Sequence, residues 1–312
     1  MTKISYVVPC YRSESTIEDV VSDIRKAIMK YPDLYDYEII LINDNSPDNV
    51  WDVICKLSEE DNKVKGYRLS RNFGQYAALM AGYKQSTGDI VISLDDDGQT
   101  PALESIVLIE KLNEGYDVVF GKYLERRDNS FRKFGTYINK RMSESLIGKP
   151  KHVDVTSYYA MKRYVAESMI QYDNPYPYIA GLIFRATTNC ANVDIKHEHR
   201  TEGKSGYTLS KLLSLWLNGF TSFSVKPLRI ATVFGFICSF AGFALTLYTI
   251  IDRIINPDLP AGYSALASMV LFIGGVIMIM LGVVGEYIGR IYISLNKAPQ
   301  YIIKESTNEI DK

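Results

Sequence analysis

Ile90-Val91-Ile92-Ser93-Leu94-Asp95-Asp96-Asp97-Gly98-Gln99 is a short apolar run that stops on three adjacent carboxylates. Ile90–Leu94 has the length and composition of a buried strand. The carboxylates after it repel one another and call for a cation or for hydrogen-bond donors. In an Asp-x-Asp pair the outer groups, Asp95 and Asp97, can turn to one side of a loop. A hard divalent ion such as Mg2+ or Mn2+ takes one or two carboxylates and fills its shell with phosphate oxygens and water. The stretch therefore reads as a diphosphate clamp; a solvated acidic turn or helix cap is the competing reading.

Moving outward, the same strand-then-polar-loop pattern repeats. Ile4–Val8 is an apolar run ending at Pro9, followed by Thr16–Met29 with apolar residues at Ile17, Val20, Val21, Ile24, Ala27 and Ile28, a helical period. Glu38–Ile42 reads as a strand that stops at the turn cluster Asn43-Asp44-Asn45-Ser46-Pro47, and Asn49–Leu57 as a helix. Gly66–Leu69 and Gln75–Gln85 form the next strand and helix. Repeated units of this kind predict an α/β fold, with a mainly parallel sheet and helices on both faces. Ligands of such sheets bind at the carboxyl ends of the strands, where the polar clusters 9–14, 43–48, 70–75 and 95–99 all fall.

The rest of the chain has a different texture. Leu209, Leu212, Leu213, Trp216, Leu217 and Phe220 recur at helical spacing, either as an amphipathic helix at a membrane interface or as an ordinary packed helix. Ile230–Ile251 and Leu259–Gly285 carry no charge, and each is long enough to cross a bilayer core, which needs about 20 helical residues. Two buried helices of a soluble protein are the alternative. Gly235, Gly242, Gly274, Gly275 and Gly282 suit close helix approach in lipid. Lys226 and Arg229 before the first stretch, and Arg290, Lys297 and Lys304 after the second, place both flanks in the cytoplasm. The predicted organisation is an α/β domain over 1–205, a juxtamembrane helix over 206–228, two transmembrane helices over 229–289 and a cytoplasmic tail over 290–312.

A formal net charge of −1 over 312 residues supplies no global basic field for nucleic acid, so an anion site has to be local. Cys10, Cys55, Cys190 and Cys238 are scattered, which fits a reducing compartment and argues against structural zinc. The start of the chain does not read as a signal peptide, because Arg12, Glu14, Glu18 and Asp19 follow the first apolar run at once. His197-Glu198-His199 would set two imidazoles on one strand face, but no third ligand stands at a telling spacing, and an ordinary strand edge is the plainer reading.

Several motifs stand in order: Val7-Val8-Pro9-Cys10-Tyr11, Ile40-Leu41-Ile42-Asn43-Asp44-Asn45-Ser46-Pro47-Asp48, Arg71-Asn72-Phe73-Gly74-Gln75, Ala78, Gly82, Gly88-Asp89 and Asp95-Asp96-Asp97-Gly98-Gln99. Arg200 with Gly203-Lys204-Ser205, and then Phe223-Ser224-Val225-Lys226-Pro227-Leu228, continue the series. On these residues the chain resembles the family 2 glycosyltransferases of the GT-A fold, a Rossmann-like and mostly parallel sheet. It is most similar to polyprenyl-phosphate hexose transferases and dolichyl-phosphate mannose synthases. The resemblance implies a nucleotide-sugar donor, with uridine the nucleotide favoured among relatives, a polyprenyl phosphate acceptor, Mg2+ or Mn2+, a cytoplasmic-membrane location and assembly into homo-oligomers, possible tetramers included. It also implies roles: Pro9, Tyr11 and Asp44 near base and ribose, Arg71 and Asp96 near the nucleotide-sugar, and Asp95, Asp97 and Gln99 at the metal and diphosphate. Arg126, Arg132 and Thr136 fall near the acceptor phosphate, with Lys122 standing in for an Arg expected nearby. Arg200, Lys204 and Ser205 form a second candidate anion site. An Arg in any of these places grips phosphate bidentately, and a solvated basic face is the alternative.

The chain departs from the resemblance in places. Tyr11-Arg12-Ser13 stands for a usual Tyr-Asn-Glu, Gly98 for a usual Leu, and Thr100-Pro101 for a double Pro. Ser157-Tyr158-Tyr159 replaces an Asp-Phe-Arg, which removes a general base; Asp154 is a weak substitute. A phosphate monoester is largely dianionic at neutral pH, its second pKa being about 6, so it needs no base to attack an anomeric carbon. The expected reaction is an in-line, inverting transfer. Two alternatives are a GT-A enzyme that glycosylates a hydroxyl of a lipid-linked or surface polysaccharide, and a non-catalytic membrane scaffold of the same fold.

Overall fold

The computed structural model describes residues 1–98, 100–123, 147–195, 226–255, 262–296 and 298–307. The chain divides into two units, Met1–Ser214 with Lys297–Lys312, and Leu215–Asn296.

The first unit is built on an eight-stranded sheet in the order β7-β5-β6-β4-β1-β2-β3-β8. Its strands are β1 Thr2–Cys10, β2 Tyr35–Asn43, β3 Val64–Leu69, β4 Ile90–Ser93, β5 Val118–Tyr123, β6 Tyr159–Lys162, β7 Cys190–Ile195 and β8 Ile303–Ser306. β1 pairs in parallel with both β2 and β4, β2 with β3, and β5 with β7. β6 is antiparallel to β4 and β5, and β8 is antiparallel to β3. The helices of this unit are α1 Ile17–Ile28, α2 Val50–Glu60, α3 Gln75–Gln85, α4 Ser105–Asn113, α5 Arg163–Ile170 and α6 Ile179–Ala186.

Strand alternation divides the core between the two faces. Ile4, Tyr6, Val8 and Cys10 of β1 and Tyr37, Ile39 and Leu41 of β2 join one cluster with α1, α2 and α4. All six apolar positions of the α1 period are buried. The opposite face receives α3, and Gly82 explains how closely. A Cβ at Gly82 would lie 2.3 Å from Val7 Cγ1, so any side chain there would push α3 off the sheet. The β1–β4 pairing brings the carboxyl ends of these strands, and the loops after them, to one edge.

The sequence reads 290–312 as a tail, whereas the structure makes Ile303–Ser306 an edge strand of the first unit's sheet. Ser70 N–H donates to Ile302 O at 2.9 Å. Thr307 Oγ1 accepts from Gly66 N–H at 3.0 Å and lies 2.8 Å from Ser58 Oγ. Gln300 Nε2 donates to the carbonyls of Tyr172 and Asn174 at 3.3 and 3.0 Å. The first unit therefore takes in residues 298–307 as well, beyond the expected 1–205 boundary.

The second unit holds α7 Lys226–Ile255 and α8 Tyr263–Leu295. In α8, Phe272–Gly289 is long and apolar enough to cross a membrane, with a mean hydropathy of 1.9. The apolar part of α7, Ala231–Ala244, is shorter than the expected first span. Phe236, Phe240, Met278 and Ile279 are among the large apolar side chains left exposed. Of the glycines expected at a helix contact, Gly235 meets Met280, where a Cβ would come within 2.6 Å of Cε. A Cβ built at Gly274, Gly275 or Gly282 would meet no atom within 4 Å among the described residues.

Candidate active site

The acidic loop begins one residue past β4. Gly98 closes its described part at φ +71°, a left-handed conformation that a side chain at this position would strain. Asp95 Oδ1 accepts from Gln75 Nε2 at 2.8 Å, and Oδ2 accepts from Ser157 Oγ at 2.5 Å. Asp96 Oδ2 accepts from the Tyr11 N–H at 2.8 Å, and Asp96 O accepts from Thr16 Oγ1 at 2.5 Å. The loop after β4 is thus tied to the loop after β1, to the start of α3 and to the approach to β6.

These contacts bring no cation to Asp95 or Asp96: among the described residues neither has a Lys or Arg within ion-pair distance. Burial pushes the Asp95 carboxyl up, and the charge of Asp97 adds to this against the hydrogen bonds from Ser157 and Gln75. Burial likewise pushes Asp96 up, to about 6, against the hydrogen bond from Tyr11. At Asp95 and Asp96, negative charge is therefore concentrated without a Lys or Arg partner among the described residues. Among the described residues no three His, Cys, Asp or Glu side chains gather into an all-protein cage. A divalent ion that takes one or two carboxylates and completes its shell with diphosphate oxygens fits this donor set. Asp95 and Asp97 are the residues that would hold it.

The neighbouring loops are cross-braced. Arg12 N–H donates to Ser46 Oγ at 2.7 Å, Ser46 Oγ donates to Asp48 Oδ1 at 2.5 Å, and Glu14 N–H donates to Asp48 Oδ2 at 3.0 Å. Asn49 N–H returns to Glu14 Oε2 at 3.1 Å. Pro9 is buried within β1, while Tyr11 is 43% exposed, with the Arg12 guanidinium carbon 5.6 Å from its ring centroid. Asp44 is 3% exposed, with its two oxygens accepting from Phe73 and Gly74 N–H at 2.7 and 2.8 Å. Its carboxylate holds the 71–74 loop, where sequence alone suggests a direct contact to base or ribose. On that loop Arg71 is exposed, with its guanidinium carbon 4.7 Å from the Phe73 ring centroid.

On the acceptor side, Lys122 Nζ lies 3.5 Å from Asp154 Oδ2, both side chains about half-exposed. Asn192 Oδ1 accepts from Asp154 N–H at 2.8 Å. The cation expected to bind phosphate and the weak candidate base are therefore partners. An exposed pair of this kind is worth about 0–1 kcal/mol, so a phosphate dianion can compete for the lysine. Gln99, Arg126, Arg132, Thr136, His197, His199, Arg200, Lys204 and Ser205, and the expected amphipathic helix, lie outside the described residues. Sequence reasoning gave no role to Gln75 or Ser157. Gln75 was legible as the first residue of a helix opening from a strand-end loop. Ser157, 62 positions from Asp95, was legible only as the residue that stands where the resemblance expects an Asp.

Comparison with known proteins bears on the family and the fold. Residues 5–170 match the profile of Glycosyl transferase family 2, and residues 226–291 match that of the GtrB C-terminal hairpin. The chain is 32% identical over 309 residues to the undecaprenyl-phosphate 4-deoxy-4-formamido-L-arabinose transferase of Proteus mirabilis, covering 98% of this chain and 94% of that protein. It is 30% identical over 303 residues to the uncharacterized glycosyltransferase YkcC of Bacillus subtilis, covering 97% and 93%. Among solved structures, glucosyl-3-phosphoglycerate synthase of Mycobacterium tuberculosis in complex with Mn2+, uridine diphosphate and phosphoglyceric acid aligns at a TM-score of 0.51 and 19% identity, over 69% of this chain and 74% of that one. That likeness concerns the fold.

Proposed function

Because the chain belongs to glycosyltransferase family 2, we propose that it moves a monosaccharide from a nucleotide diphosphate sugar to polyprenyl phosphate at the cytoplasmic surface of a membrane. The observation that carries the proposal is the acidic loop at the carboxyl edge of β4, with Asp95 oriented by neutral donors, in a chain whose likeness to an undecaprenyl-phosphate transferase runs through both of its units. The finer parts of the same proposal are a uridine-linked hexose as donor, Mg2+ or Mn2+ as the ion, α7 and α8 as two spans and a homo-oligomeric assembly.

In this reading Tyr11 stacks on the base and Arg71 faces the nucleotide phosphates, the latter on a loop that Asp44 holds in place. A divalent ion held by Asp95 and Asp97, with Gln99, supplies neutralisation of charge on the departing diphosphate. Lys122, together with Arg126, Arg132, Thr136, Arg200, Lys204 and Ser205, takes the acceptor phosphate. That phosphate is already dianionic, and the reaction then rests on positioning and charge stabilisation rather than on proton removal. Ser157, a hydroxyl beside Asp95, is no substitute for a carboxylate base, and Asp154 is held by Lys122.

The test uses the full chain in lipid nanodiscs with Mg2+, undecaprenyl phosphate and a panel of labelled nucleotide-sugars that includes hexoses and a formamido-pentose. Label that partitions into organic solvent as a sugar-phosphate lipid supports the proposal. Products on polysaccharide hydroxyls alone, or silence with every donor, overturn it. An α-linked donor yields a β-linked product if the displacement is in-line and inverting, and retention at the anomeric carbon overturns that step.

A further inference from the structure

Gln75 and Ser157 reach Asp95 from two different elements, one oxygen each. Two donors on the two oxygens of one carboxylate fix its orientation. Each oxygen retains a second lone pair, so the carboxylate can still coordinate an ion. Both donors are neutral, and they orient the charge without cancelling it as a Lys or Arg would.

The mounts of the two donors are firm. Gln75 opens α3, whose first turn is closed by Ala77 and Ala78 N–H on Gly74 O at 3.0 and 3.1 Å. The Asp44 carboxylate grips the two residues before it. Ser157 precedes Tyr158, whose hydroxyl donates to Pro101 O at 3.2 Å, and Tyr159, the first residue of β6. Behind the acidic loop the buried hydroxyls of Tyr83 on α3 and Tyr159 on β6 share a hydrogen bond. The two elements that carry the donors are therefore tied to each other as well as to Asp95.

We infer that Gln75 and Ser157 are positioning residues which set the Asp95 carboxylate for a divalent cation before any substrate arrives. This rests on the metal assignment of the proposed function. Loss of the pair leaves a carboxylate that has to be ordered by the ion itself, which weakens ion binding; groups of this kind are worth about 10- to 100-fold in metal affinity. Both side chains are exposed, so their removal should leave the fold intact.

The experiment titrates Mn2+ alone into the purified full chain and follows free Mn2+ by electron paramagnetic resonance. The Gln75→Ala/Ser157→Ala double variant should bind Mn2+ about tenfold more weakly, with an unchanged melting temperature. Ser157→Thr, which keeps the hydroxyl, should restore most of the loss seen in Ser157→Ala. Excess Mn2+ should return the turnover of the double variant towards that of the parent, which separates metal affinity from kcat. Wild-type affinity in the double variant, or a threonine variant as weak as the alanine one, overturns the inference alone. If the parent takes up no Mn2+ even with uridine diphosphate present, or if Asp97→Ala takes it up equally well, the metal assignment falls and the inference falls with it.

Discussion

Glu38 and Asp96 are carboxylates of one sheet, near opposite ends of its strands. Glu38 lies 2% exposed near the amino end of β2. Burial alone would raise its pKa, but hydrogen bonds from Ser5 Oγ at 2.7 Å, Thr87 N–H at 2.6 Å and Lys65 Nζ at 3.0 Å, with Lys3 Nζ at 3.1 Å, hold it at about 2. Asp96, past the carboxyl end of β4, accepts from Tyr11 N–H and has no cation partner among the described residues, and burial pushes it up to about 6. A buried charge that serves the fold is paired internally. A partly buried charge with no cation among the described residues, at a strand-end loop, marks a candidate functional site.

The sharpest way to break this contrast is at the acidic loop itself. Asp97→Ala should lower turnover by at least about 100-fold, as expected when a group that stabilises developing charge is removed, while circular dichroism and the melting curve stay those of the parent. Near-parental turnover would sink the assignment. Glu38→Gln should do the reverse, costing roughly 2 kcal/mol of stability once solvent screening is allowed for, with little effect on kcat. Because the folded pKa of Glu38 lies below its ordinary value of 4.5, its contribution is present above about pH 4.5 and is lost as pH falls towards 2. Denaturant midpoints of parent and Glu38→Gln should therefore converge over that acid window, and a gap that persists at its low end would show that the lysine pairing is not the cause.

Asp96→Asn sharpens the comparison from the other side. The amide keeps an acceptor for Tyr11 N–H and removes a charge that burial penalises without a cation partner. In chelator the variant should be more stable by about 1 kcal/mol and less active, the trade-off expected where function requires an unfavourable charge. A destabilised variant would show that the ionised carboxylate serves the fold. The smallest effect sets the scale for a neutral polar contact. Gln300→Ala deletes two hydrogen bonds to the 172–174 backbone and should cost about 1 kcal/mol or less. A melting shift as large as that of Glu38→Gln would mean that the returning C-terminal segment holds the catalytic unit together more than its contacts suggest.

Much of this was legible in the chain. The helical period of α1 is fully matched by its buried face, and the strands that begin at Thr2, Tyr35, Val64 and Ile90 each lead into one of the polar loops. Periodicity and turn chemistry are local signals, and they place Asp95, Asp97, Tyr11 and Arg71 at one edge because parallel strands deliver their carboxyl ends together. β8 was not legible: Ile303-Lys304-Glu305-Ser306 is short and half-charged, and it becomes a strand only when the unpaired edge of β3 accepts it. The antiparallel β6 was missed because its direction is set by pairing with β4 and β5 rather than by its own four residues.

The amino-acid order by itself determined the repeating α/β units, the acidic loop and the apolar C-terminal helices, because each follows from residues close together in sequence. Tertiary structure decided how the carboxylates are used. Asp44 is turned inward onto backbone N–H groups, Asp154 is paired with Lys122, and Asp95 is held by Gln75 and Ser157. These contacts join residues 20 to 62 positions apart or lie in loops whose course the sheet sets, so no local rule of composition or spacing specifies them.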